Sequence, residues 1–518
     1  MLITQPPADG ETADLLIVGA GAVGLALAIS LSRQGRRVLV VEGGEERIDP
    51  DYAMRNEIVQ SGARHHRGAS AGRYKGLGGT TRLWGGQLMP FTAADFAPNP
   101  ARGKPGWPIG AAELAPYGDA AMQLLGFPVG WPEAARDWAG PDGALGDALE
   151  FAPSVWMRQP DLANLWGMEL RSAPNLRVLL GHEAIAITID PARGNVCGVT
   201  VAGPGGVATT IKSRNCVLAC GTLETARLLL RTQARLPETP LGRNRHVGRW
   251  FIDHFHGTAG EVKPQDRARF GKLFDASYAG RVKILPKVRL SDAVVAKDHL
   301  PNCAGVFNGR LSPGTALTEL AGLGRRVVGA SSGGRIAALG EGLRTGGLIV
   351  PLVWRYLRQR RSATFLSGMA SFGFELEQLP SPGSYLYLEP GVPAAEARLG
   401  LNWSVDGGEI AALTRLATAM QSYCKAQELG ELEIDPRILQ GDPAFLSECE
   451  DSFHQMGGAR MAATADDGVV DHNCAVFGMA GLYLAGPATF ASGSFANPTL
   501  TAIAMGLRLG EHLAMSKS

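Results

Sequence analysis

Hydrophobic spacing changes character along this chain. Leu15-Leu16-Ile17-Val18 is a continuous apolar run, which predicts a strand buried on both faces of a parallel sheet. The small-residue stretch 25–34 predicts a helix, and the apolar run 38–41 predicts a second strand that ends at Glu42. Three short apolar runs follow at 176–180, 184–189 and 196–201. The turn Ala202-Gly203-Pro204-Gly205-Gly206 predicts a hairpin from the last of them to 207–211. Residues 216–221 read as an apolar strand stopping at glycine, with a helix-like stretch at 223–230. Later the period becomes two: Phe372, Phe374 and Leu376 alternate with smaller or polar residues, and 385–388 and 399–403 read as further strands. Together these suit a sheet with one face towards a cavity. The fold class expected is α/β.

The first strand leads into Gly19-Ala20-Gly21-Ala22-Val23-Gly24. Strand, glycine loop, helix, strand and terminal acid in this order are the signature of a Rossmann-like dinucleotide unit. Gly19 makes the tight turn, Gly21 lets the backbone approach a pyrophosphate, and Gly24 allows close helix packing. The helix N-terminus supplies partial positive charge for phosphates. Glu42, roughly 20 residues on, is placed to accept ribose hydroxyls and disfavours a 2′-phosphate, which argues against NADP. This unit alone leaves NAD and FAD both open. A second glycine-rich loop, Gly76 to Gly86, contains Gly79, Thr80, Thr81 and Trp84 and can run its backbone against a flat ring.

Composition narrows the class. Lys and Arg number 50 against 49 Asp and Glu, so net charge gives no sign of nucleic-acid binding. Glycine is abundant, 68 of 518 residues, but lies in short loops between apolar runs rather than in a periodic array. Residues 1–14 are polar and acidic, without the basic and apolar regions of a secretory signal, and no apolar run is long enough to span a membrane. The seven cysteines form no CxxC pair, which fits a reduced compartment; a cytoplasmic location, with peripheral membrane contact as a further option, is the expectation. Cys216 and Cys220 read as core thiols on one strand face. His254 and His256 form HxH without further ligands at metal-site spacing, so no metal is expected. The pair His65-His66 reads as an exposed loop.

The chemistry-bearing candidates lie near the C-terminus. His454 stands in His454-Gln455-Met456-Gly457-Gly458-Ala459-Arg460-Met461, and Asn497-Pro498-Thr499 follows after a run of small residues. Histidine is the side chain best poised to accept a proton near neutral pH. Asparagine can orient a substrate hydroxyl without competing for that proton. Over a redox cofactor such a pair suits alcohol oxidation, with His454 as general base and Asn497 as the substrate-orienting partner.

The order of motifs resembles the glucose-methanol-choline (GMC) family of FAD-dependent oxidoreductases. The matching pieces are the Gly19 loop with Glu42, the Gly78 to Trp84 loop, Gly106-Trp107-Pro108, 217–230, Gly248 to His254, Glu377-Gln378-Leu379-Pro380, His454 to Met461, and Gly481 to Thr499. They span nearly the whole chain and resemble most the branch of pyranose and fructose oxidoreductases and glycoside dehydrogenases. The resemblance implies a discontinuous FAD domain, 1–110, 176–260 and 450–518, with an interleaved antiparallel-sheet substrate domain from 111–175 and 261–449. It implies cofactor contacts at Gly19, Gly21, Gly24, Glu42, Gly79, Thr80, Thr81, Trp84, Ala184, Gly221, Gly486 and Pro498. Two positions depart from the family pattern. Leu83 stands where some relatives carry a flavin-linked histidine, so FAD is expected to bind non-covalently, and Gly486 is followed by Pro487, which has no N–H to offer.

The implied activity is oxidation of a secondary hydroxyl of a sugar or glycoside to a keto-sugar, with Trp403, Tyr385 and Tyr387 available as flat faces for a sugar ring. The electron acceptor stays open among oxygen, a quinone and a redox protein. One segment leaves room for another substrate class. Residues 310–361 hold nine arginines and two glutamates, a charge of +7 that leaves −6 for the rest of a chain whose net charge is +1. Such a basic, partly apolar piece reads as a lid over the substrate domain or as a surface for an anionic membrane. The membrane alternative would deliver a sterol or other apolar alcohol. A non-catalytic FAD-binding module is the remaining reading, and it gives no reason for the His454 and Asn497 pair. A flavin disulfide reductase is excluded because no CxxxxC follows the first dinucleotide helix.

Overall fold

The computed structural model describes residues 1–7, 13–131, 145–190, 194–279, 282–309 and 368–515. The arginine-rich segment 310–361 lies outside the described residues, so its expected role as lid or membrane surface does too.

Two large sheets organise the described chain. The first has six strands in the order Leu2–Ile3, Leu176–Leu179, Val38–Val41, Leu15–Val18, Cys216–Leu218, Leu482–Leu484, and every pairing in it is parallel. Leu15–Val18 and Val38–Val41 are buried along their whole length, as continuous apolar runs require when helices cover both faces. The helices Ala22–Arg33 and Pro498–Met515 pack on one another, and Ala111–Leu124 packs on the second of them. This is the Rossmann-like half that the glycine loop predicts. Its outermost strand, Leu2–Ile3, was missed by the reading of 1–14 as polar chain, because two residues carry no period to detect.

The run 216–221 needs correction. The strand is only Cys216–Leu218, while Gly221 opens the helix Gly221–Arg235 with φ +78°. Cys216 is fully buried, but Cys220 is the residue before that helix and lines a cavity instead of sharing a strand face with Cys216. The expected hairpin is present: Ala208–Lys212 pairs antiparallel with Asn195–Ala202, which pairs in turn with Glu183–Asp190.

The second large sheet is antiparallel. Its central strands are His254–Val262, Ala370–Glu377, Cys303–Gly309, Val282–Leu290 and Leu149–Trp156, with Leu432–Ile434 and Gln87–Leu88 at the edges. Alternation along Ala370–Glu377 sends Phe372, Phe374 and Leu376 into a core shared with Phe307, Phe270 and the helix Ile410–Ala426. The other face of that strand carries Glu375 and Glu377. The expectation that Tyr385–Leu388 and 399–403 extend this sheet is corrected. Tyr385–Leu388 and Leu399–Asn402 form a separate three-stranded sheet with Val59–Gln60. Local alternation signals a strand but carries no information about which edge it joins.

Candidate active site

The glycine loop brings the first helix into place by close contact. A Cβ on Gly24 would sit 2.0 Å from the carbonyl oxygen of Gly19, and one on Gly19 would sit 2.6 Å from that of Ala219. Only glycine permits this packing of loop, helix and neighbouring strand. Gly21, by contrast, has open space where a Cβ would go, and no side chain caps the helix behind it. Its first N–H groups are therefore free to meet an anion.

A cavity of about 340 Å³ opens at this loop. Its lining includes Gly19, Gly21, Glu42, Gly79, Thr80, Thr81, Trp84, Ala184, Gly221, Gly486 and Pro498. His454 lies on the same wall. Three helices start there: Ala22–Arg33, Gly221–Arg235 and Pro498–Met515. Gly24 is not in the lining; it acts one layer back, as the packing argument requires. Leu83 is 59% exposed and also lies outside the lining.

Glu42, expected to accept ribose hydroxyls, is hydrogen-bonded within the protein itself. Its Oε2 accepts the Ala20 N–H at 2.9 Å, and its Oε1 accepts those of Gly44 at 2.9 Å and Gly76 at 3.1 Å. The carboxylate thus ties both glycine loops to the strand end. Burial pushes its pKa up, and the three N–H groups oppose that rise. The second loop sits on the first, with Gly78 N–H donating to Ala20 O at 2.9 Å. Thr81 Oγ1 closes its turn onto Gly78 O at 2.6 Å, and Trp84 Nε1 donates to Pro160 O at 2.7 Å. Pro487 lacks an N–H but uses its carbonyl, which accepts from Gly457 N at 2.9 Å and so steadies the His454 loop.

His454 and Asn497 come together as expected. The Asn497 amide nitrogen lies 3.1 Å from His454 Nε2, and its Oδ1 has no partner among the described residues. Burial holds the His454 imidazole below its ordinary pKa, against the opposing pull of Asp253 and Glu375. A neutral ring with a lone pair on Nε2 is a proton acceptor, and the amide N–H beside it can hold the oxygen that loses the proton.

Sequence reasoning missed four residues around His454. His254, read as half of an HxH pair and as the end of the Gly248 to His254 match but given no role, is fully buried, with Nδ1 3.3 Å from Nδ1 of His454. Asp253 holds the backbone of both histidines. Lys287 and Glu375 form an ion pair whose charges both act on His454. Apart from Asp253 with its neighbour His254, the partners come from segments far apart in the chain, so no local spacing signals them.

Other expectations are revised by burial. His65 is exposed, but His66 is fully buried, its Nε2 3.0 Å from Asp253 Oδ2. His66, Asp253 and Asp451 cluster closely enough to suggest a metal site. Each is already engaged: His66 Nδ1 accepts from Ala69 N, Asp451 from the N–H groups of Arg67 and Gly68, and Asp253 from those of His254 and His454. The cluster fixes backbone. Trp403 cannot offer a face to a sugar, being 2% exposed, stacked on Phe255 and hydrogen-bonded to Gln378. Tyr385 and Tyr387 lie on the small sheet, outside the cavity lining.

Comparison with known proteins agrees with this architecture. Residues 157–256 and 380–506 match family models described as GMC oxidoreductase, and 17–70 match an NAD(P)-binding Rossmann-like domain. Paromamine 6'-oxidase of Streptomyces fradiae is 27% identical over 290 residues, covering 46% of this chain and 53% of that protein. The 6'''-hydroxyparomomycin C oxidase of Streptomyces lividus is 26% identical over 303 residues, covering 47% and 55%. The chain thus spans about half the length of the curated relatives it matches. Among solved structures, pyridoxine 4-oxidase from Mesorbium loti superposes with TM-score 0.60 at 15% identity, covering 98% of this chain and all of that one, and shares the fold.

Proposed function

This chain belongs to the GMC oxidoreductase family, and on that premise we propose that it is an FAD-dependent oxidoreductase acting on a hydroxyl of a sugar or glycoside. The observation that carries this reading is His454, which lines a cavity where three helices start and lies 3.1 Å from the Asn497 amide.

The cavity fits the cofactor on its own chemistry. Backbone glycines with open Cβ positions at Gly21, Gly221 and Gly486 leave room for close approach, and uncapped helix starts favour a diphosphate. Gly19, Gly21 and Glu42 would hold the adenosine and diphosphate end, with Gly79, Thr80, Thr81, Trp84, Ala184, Gly221, Gly486 and Pro498 along the rest. In this reading 1–110, 176–260 and 450–518 are the cofactor part, and 111–175 with 261–449 the substrate part. FAD, when bound, supplies the hydride acceptor.

The residues do the rest. Nε2 of His454 takes the proton of the substrate hydroxyl, and the Asn497 N–H holds that oxygen as charge develops on it. Burial keeps His454 neutral and ready. The N-terminus of Pro498–Met515 adds a positive dipole end beside the same site. Relatives named for oxidation of paromamine and hydroxyparomomycin support a carbohydrate substrate; a secondary hydroxyl would yield a keto-sugar. Anaerobic mixing of the purified yellow protein with sugars, glycosides, amino sugars, sterols and simple alcohols tests this, with loss of flavin absorbance as the readout. Bleaching by sterols and by no carbohydrate would sink the sugar assignment.

A further inference from the structure

His454 is not alone at the edge of the cavity. His254 begins the strand His254–Val262, and its ring lies 5.0 Å from that of His454, inclined at 64°. One carboxylate oxygen sets the spacing of the two residues. Asp253 Oδ1 accepts the backbone N–H of His254 at 2.6 Å and that of His454 at 3.0 Å. Asp253 is itself pinned, since Oδ2 is bonded to His66 Nε2 at 3.0 Å and its N–H donates to Gln378 Oε1 at 2.9 Å.

A hydrogen bond between two imidazole nitrogens needs one proton, carried by one ring and accepted by the other. The Asn497 amide N–H donates to Nε2 of His454, so that nitrogen presents a lone pair. In the neutral ring the proton must then sit on Nδ1, which faces His254 Nδ1 at 3.3 Å. His254 Nδ1 therefore accepts, and its own proton resides on Nε2, an atom buried with no partner among the described residues. Lys287 acts electrostatically on both rings, and Asp253, Glu375 and His256 act on His454. Two imidazolium rings at this distance in a buried site would repel strongly, so the pair holds one added proton and not two.

We propose that His254 is a positioning residue for the reaction: by accepting the Nδ1 proton of His454 it fixes the tautomer that keeps the lone pair on Nε2, which takes the substrate proton once the hydroxyl replaces the Asn497 N–H there. This rests on His454 being the base. When Nε2 gains the hydroxyl proton, the O–H bond breaks and an N–H bond forms. The Nδ1 proton is then shared with His254, and the single positive charge is spread over two rings. No further reactant enters this step.

The test uses the holoenzyme with ¹⁵N-labelled histidine. Long-range ¹H–¹⁵N spectra near neutral pH should show His454 protonated on Nδ1 and His254 on Nε2. An Nε2–H tautomer for His454 overturns the proposal. That result needs no turnover, so it is distinct from a failure of His454 as base, which the rate of a His454→Ala variant reads. Variants add a second arm. In His254→Gln the amide oxygen can replace the acceptor, and flavin reduction should stay within about threefold of the parent. His254→Phe offers no acceptor and should be slower by about 10- to 100-fold at equal FAD content, a share of what a positioned base contributes. Equal loss in both variants, or loss in neither, contradicts the assignment. Should His254→Phe fail to retain FAD, the tautomer in the parent protein decides.

Discussion

The amide nitrogen of Asn497 lies 3.1 Å from Nε2 of His454, although 43 residues separate them in the chain. Each comes from a different structural device. His454 lies in the loop held by the edge of the antiparallel sheet, and Asn497 stands just before the long C-terminal helix. The contact therefore brings a loop and a helix start together at the point where chemistry is proposed.

Replacing His454 by alanine should slow anaerobic flavin reduction by roughly 10²- to 10⁴-fold, the range for a positioned general base. FAD content should be unchanged, because His454 is one of many residues that line the cavity. Stopped-flow absorbance reads the rate; an unaltered rate removes His454 from the mechanism, whereas a parent protein whose flavin no alcohol reduces would favour a non-catalytic FAD-binding module.

The pH dependence follows from burial. Burial lowers the pKa of His454 from 6.5, so the base is neutral through the neutral range and reduction should fall only as pH drops below 6.5. The stability sign agrees. His254 and His454 both have folded pKa values below the unfolded one, so the unfolded chain binds more protons, and stability declines as pH falls from 6.5 towards the folded values. Melting temperatures across that window check the slope; a protein that grows more stable on acidification there contradicts it.

FAD should be released by acid precipitation, leaving the yellow colour in the supernatant. Leu83 offers no nucleophilic nitrogen and lies outside the cavity lining. Flavin retained in the washed pellet would show that another side chain has made a covalent link.

Gly24→Ala tests the packing of the first loop. Its methyl would meet the Gly19 carbonyl at 2.0 Å, so the helix must shift, at a cost of about 1–3 kcal/mol typical of overpacking. Lower thermal stability and weaker FAD retention are expected together. A variant with parent-like melting and full FAD would mean that the loop tolerates the shift.

Asp253→Ala should be more damaging than its position beside the site suggests. The carboxylate accepts the N–H groups of His254, Ser452 and His454 and binds His66. Loss of about 3 kcal/mol is expected, the upper figure for one hydrogen bond to a charged group. Denaturant unfolding measures it, and a change under about 0.5 kcal/mol, the size of a surface substitution, would contradict this account.

The sequence by itself determined whatever depends on neighbours in the chain. The strand Leu15–Val18, the turn at Gly19, the close packing at Gly24 and the acid at Glu42 are legible because steric rules act over a few residues. The pairing of His454 with Asn497 was suggested by residue type and glycine context, and the roles proposed for them rest on that chemistry. Tertiary structure decided what depends on which distant segments meet. It buried Trp403 and His66, placed Tyr385–Leu388 in a sheet of its own, and set His254 against His454 across 200 residues of chain. None of these has a periodic signal. Burial and hydrogen-bond partners are fixed only when the sheets close on each other, and closure is a property of the whole chain.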